Sequence, residues 1–147
     1  MKCLSLKQPY AELIMSGKKT IESRHWKTNY RGPLLIHASA NVDKEACRRL
    51  GLDEASLVKG AIVGKVNIVD VVQYDSMEKF LFLQSKHFGH DTYFQNDKTF
   101  GFILTAPQKI EKPVSMKGRL GMFEAVLTAT GNVKMASRKP LSVKTRK

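Results

Sequence analysis

The chain has 147 residues, 42% of them hydrophobic, which suits one domain with a sizeable core. Lys and Arg number 25 against 13 Asp and Glu, a formal net charge of +12, so a polyanion is the expected partner and nucleic acid the commonest one. Cys3 and Cys47 fit no metal or redox spacing, no window approaches the ~18 apolar residues of a membrane span, and the N-terminus lacks the apolar run of a signal peptide, so a reduced, cytoplasmic, non-membrane protein is expected.

In chain order, "KCLSL" predicts a short strand and "QPYAELIMSG" a helix. Pro9 suits the first turn, Tyr10, Leu13 and Ile14 form one apolar face, and Gly17 suits the stop. "TIESRHW" alternates, with Thr20, Glu22, Arg24 and Trp26 on one face and Ile21, Ser23 and His25 on the other. A turn at "NYRGP" leads into the strand "LLIHAS". Asp43 then caps a short helix that Gly51 ends. "GAIVGKVNIVDVV" reads as the strongest strand, and simple alternation puts Asp70 on the core face with Ile62, Val66 and Ile68. Asp75 and Glu78 form a capping-box pattern that opens a helix reaching Gly89. "KTFGFILTAPQKI" is expected to be a strand that runs to a proline break, "EKPVSMKGRLG" a loop, and "GMFEAVL" the last strand.

Five or six short strands with about three helices predict an α+β fold. The expected form is a small, mixed, mostly antiparallel β-barrel with helices around it. One domain is expected over residues 1–127, and nothing in the sequence calls for more than a monomer. Thr128–Lys147 carries six basic residues and no acidic one. It reads either as a flexible arm that adds phosphate contacts or as an end without a role.

The face carrying Glu22, Arg24 and Trp26, with Lys19 at its entrance, has two readings. A carboxylate among cations can orient a ligand or activate a water, Arg supplies a planar donor fork, and Trp supplies a stacking plate. Equally, the charges form a structural ion pair beside a packing Trp. His25 and His37 read first as hydrogen-bonded structural residues. His87 and His90 stand at i,i+3 without a Cys or carboxylate at ligand spacing, so neither a metal nor a cofactor is expected. There is no P-loop, dinucleotide fingerprint or nucleophile elbow.

The run Gly17-Lys18-Lys19-Thr20-Ile21-Glu22-Ser23-Arg24 resembles the GxKxxExR motif of the ASCH (activating-signal-cointegrator homology) domain family. The opening block with Gln8-Pro9-Tyr10, the strand "YRGPLLIHAS", the central "GAIVGKVNIVDVV" and the closing "FGFILTAPQKIEKPVSMKGRLGMFEAVL" resemble the family's blocks in order. The resemblance implies a PUA-like barrel with a cleft for RNA, single-stranded nucleic acid or a nucleoside. It carries the site role onto Lys19, Glu22 and Arg24. The wider candidate ligand set adds Gln8, Tyr10, Trp26, Tyr30, His37, Lys117 and Arg119. Some family members are hydrolases of an acylated cytidine nucleoside or ribonucleases, which makes Lys19, Glu22 and Asp70 the catalytic candidates. The amide-hydrolase branch has a threonine where this chain has Glu22, so its hydroxyl is missing here. On this reading Lys19→Ala and Glu22→Ala should spare the fold and weaken ligand binding, and Asp70 should face the cleft.

Overall fold

The computed structural model describes residues 1–127 and 133–135. Among these, seven strands form one sheet: β1 Lys2–Gln8, β2 Ile21–Arg24, β3 Gly32–Val42, β4 Ala61–Gln73, β5 Phe100–Ser115, β6 Met122–Leu127 and β7 Val133–Met135. The helices are α1 Tyr10–Met15, α2 Lys44–Leu50, α3 Met77–Phe82 and α4 Gln84–His87, with short 3-10 turns at Glu54–Ser56 and Asp91–Tyr93. The α+β class and the mostly antiparallel sheet are as expected. The closed barrel is not. The strand order is β2-β5-β4-β3-β1-β6-β7, and its ends do not meet.

The central pair β1–β3 is parallel, with Ser5 opposite His37, and every other pairing is antiparallel. One face of the sheet packs Leu4, Leu34, Ile36 and Ile68 against Ala11, Ile14 and Met15 of α1. Cys3, Leu35, Ile62 and Phe123 form a second cluster. Ile21, Tyr74 and Phe80 form a third, where α3 meets the sheet. Among the described residues, edge strand β2 pairs only with β5, and α4 lies along its other side, where the Thr20 N–H donates to the Lys86 carbonyl at 3.0 Å.

The predicted caps hold at α2. Asp43 accepts from the Ala46 N–H at 3.0 Å, and Gly51 closes the helix at φ 70°. At α3 the cap is Ser76 rather than Asp75, because Ser76 is the extended residue whose hydroxyl reaches the Lys79 N–H. The expected long helix divides at Leu83 into α3 and α4.

Two further differences come from β-bulges in the β4–β5 ladder. The register shifts between Ile68 and Asp70, so alternation breaks and Asp70 is exposed rather than core-facing. It bonds the Val71 N–H and lies 3.7 Å from Arg31. The ladder shifts twice more, and Ala106 takes φ 54°, so β5 passes through Pro107 and Pro113 to Ser115 where a break was expected. The expected tail contributes Val133–Met135 to the sheet against β6. Its other residues lie outside the described ones.

Candidate nucleotide-binding cleft

Lys19 enters β2 from α1, and its main-chain N–H donates to the Leu13 carbonyl at 2.9 Å. Its side chain is only 3% exposed. The ammonium donates to the Ile21 carbonyl at 2.7 Å and to the His87 carbonyl, and lies 3.1 Å from Glu22 Oε1. Glu22 Oε2 accepts from Arg24 Nε at 2.8 Å, and Arg24 Nη2 reaches the Ser5 carbonyl at 2.8 Å. Period-two spacing on β2 puts Glu22 and Arg24 on one face, so a charged row Lys19–Glu22–Arg24, buried at Lys19 and Glu22 and half-buried at Arg24, runs from α4 to β1.

This row floors a cleft of about 900 Å³. One wall is the segment Gly89–Tyr93, where the His25 ring stacks on Tyr93 at 4.0 Å and 18°. The segment Gly118–Gly121 also lines the cleft, with Gly118 against Ser5 and His37. Tyr10 closes one side. Its hydroxyl donates to Asp43 at 3.1 Å, and its ring lies 5.5 Å from the Lys19 ammonium, within cation–π range. Lys7, Arg24 and Arg119 bring positive charge to the lining.

The chain matches the ASCH domain model over residues 4–114. The chain belongs to the ASCH domain family. It is 31% identical over 129 residues to Activating signal cointegrator 1 of Homo sapiens and 30% identical over the same length to that of Mus musculus. These alignments take in 79% of the chain but 21% of each relative, so the chain spans about a fifth of their length. The crystal structure of ASCH from Zymomonas mobilis aligns with a TM-score of 0.58 at 21% identity, covering 78% of this chain and 72% of that one. A single-residue variant of the same protein aligns at 0.56. These structures establish the likeness of fold.

In this ASCH domain the cleft gathers Tyr10, Lys19, Glu22, Arg24, His37 and Arg119 from the predicted site. It does not gather the other five. Gln8 is buried and ties α1 to the Val58 carbonyl. Trp26 lies beyond the end of β2, so the alternation that grouped it with Glu22 has stopped, and it packs edge-on to Phe102 at 5.2 Å. Tyr30 packs on the core and donates to the Pro33 carbonyl. Asp70 and Lys117 are exposed outside the lining. His87 and His90 do not converge as ligands. His87 Nδ1 accepts from the Gly89 N–H at 2.9 Å and its Nε2 meets the Phe80 carbonyl, while His90 caps the turn at Thr92. Sequence reasoning missed Ser5 and Tyr93. Ser5 is a single small polar residue among apolar ones, and Tyr93 reaches the cleft through a turn with no periodicity to read.

Burial acts to raise the Glu22 carboxyl, but Lys19 and Arg24 outweigh it and hold it below the ordinary carboxylate range. The sign follows from a folded value lower than the unfolded one. The pair's stabilisation is complete above the unfolded value, about pH 4.3, and is lost as pH falls through the folded value. Thermal melts of the parent should drop steeply on acidification through that window. Glu22→Gln should show a flatter acid limb in the same melts, and equal limbs would remove Glu22 from the acid response.

Proposed function

We propose that this ASCH domain binds single-stranded RNA and takes one nucleotide into the cleft. The observation that carries the reading is the charged row Lys19–Glu22–Arg24 lining a nucleotide-sized cleft that also carries Lys7 and Arg119. Clefts of ~300–1,000 Å³ suit small ligands. Lys19 has all three N–H groups engaged within the protein, so its part is to hold Glu22, not to meet phosphate. Glu22, ionised and acceptor-only, is suited to the amino edge of a base. The stacked His25–Tyr93 pair offers an aromatic wall, and Lys7 and Arg119 offer phosphate contacts.

The test is fluorescence anisotropy of short single-stranded RNA across a salt series, with single-stranded DNA and duplex RNA alongside. Affinity should fall linearly on log–log axes, with a slope of about −0.7 per neutralised phosphate on a single strand. Lys7→Ala and Arg119→Ala should each flatten the slope by about that amount while the thermal melt stays put. Retention that ignores salt, or variants that bind like the parent, would defeat the reading.

A further inference from the structure

Ser5 on β1 and His37 on β3 stand opposite each other in the parallel pair, and both line the cleft. Ser5 Oγ lies 2.8 Å from His37 Nδ1. The second ring nitrogen, Nε2, lies 2.5 Å from the main-chain carbonyl of Met116. A carbonyl only accepts, so Nε2 carries the ring proton and Nδ1 is left as an acceptor. The hydroxyl therefore donates to the imidazole. A hydroxyl, a base that takes its proton and a third group that fixes the base's tautomer are the three parts of an activated nucleophile.

The surroundings fit that chemistry. His37 is 1% exposed, and burial lowers its basicity, so it stays neutral near pH 7. Arg24 Nη2 donates to the Ser5 main-chain carbonyl at 2.8 Å, which ties β2 to the strand that carries the hydroxyl. A side chain at Gly118 would press on the pair: its Cβ would stand 2.7 Å from Ser5 Oγ and 2.8 Å from His37 Cε1. Only glycine lets that wall of the cleft come so close.

We propose that Ser5 is a nucleophile activated by His37, and that the cleft moves an acyl group from a carboxylic ester or amide to water. Ser5 Oγ forms a bond to the carbonyl carbon and its proton passes to His37 Nδ1. The carbon–oxygen or carbon–nitrogen bond to the leaving group breaks, and the leaving group takes that proton. Water then attacks the acyl-Ser5 ester, giving its proton to His37, and Ser5 recovers a proton as the free acid departs. The positive charge that forms on His37 is met by the Met116 carbonyl, which accepts from Nε2.

This activity goes beyond RNA binding and is read without nucleic acid. The full chain is incubated with 4-nitrophenyl acetate and, separately, with a fluorophosphonate, and examined by intact mass and peptide mapping. The expected result is a single adduct on the peptide that holds Ser5, with a burst of nitrophenol. Ser5→Ala should abolish the adduct, and His37→Gln should slow its formation by about 10²-fold or more, the usual contribution of a general base. Peptide mapping of the parent locates the adduct even if either variant folds poorly. An unlabelled parent, or an adduct that persists in Ser5→Ala, would overturn the proposal. RNA retention by the same samples, measured separately, shows whether the binding reading stands or falls on its own.

Discussion

Lys19→Ala should cost the fold about 3–5 kcal/mol, the usual loss when one partner of a buried ion pair is removed. This reverses the expectation from sequence, where a charged strand position looked dispensable to the fold. The ammonium is enclosed, and it serves the Ile21 and His87 carbonyls and Glu22 together. Truncation leaves two buried carbonyls without a donor, at about 1–3 kcal/mol each, and takes one of two cations from Glu22. Urea unfolding would show the loss as a lower midpoint at unchanged slope. Lys19→Met, which refills the volume without the donors, should recover only a minor part. A stability within ~1 kcal/mol of the parent would mean that the row is an ordinary surface pair. Cleft function is therefore better tested at Arg119 and Lys7 than at Lys19.

Gly64→Ala should also be severe, at about 3 kcal/mol or more, the upper end for an overpacked core. Gly64 lies in β4 between β3 and β5, beside a register shift. A Cβ there would stand 2.5 Å from the Gln108 carbonyl oxygen and would run into the Met15 sulfur. The sulfur can move, because a methionine side chain is flexible. The carbonyl belongs to the neighbouring strand and moves only if the β4–β5 ladder opens. Met15→Ala in the same background should therefore relieve little. Gly51→Ala is the control: at φ 70° it is strained, but its Cβ meets nothing within 4 Å, so only the ~1–2 kcal/mol of a left-handed residue is expected. Thermal melts of the two variants should rank Gly64→Ala as the more damaging, and the reverse order would show that the ladder yields.

What the sequence made legible was local. The period-two run Glu22–Arg24 fixes a shared face, and it does so in the structure. Asp43 and Gly51 announce a helix by their chemistry, and the helix is there. The family's ordered blocks led to the right fold class. The rest depended on events that no local pattern encodes. A bulge turned Asp70 outward, and bulges carried β5 past two prolines. Trp26 missed the cleft because β2 ends two residues before it. The burial of Lys19 depends on α4, which the chain supplies more than sixty residues later, and the Ser5–His37 contact depends on a parallel register set thirty-two residues apart.

An open sheet, unlike a barrel, has ends where main-chain groups face outward. At β2 that end is stopped from within: α4 takes the Thr20 amide, and the Lys19 side chain takes the Ile21 carbonyl. A lysine thus stands where a neighbouring strand would otherwise donate. Exposed strand edges are templates on which other chains add themselves and aggregate. The residue that organises the cleft floor is therefore also a guard against self-association, and a chain that lost it would lose solubility together with its site.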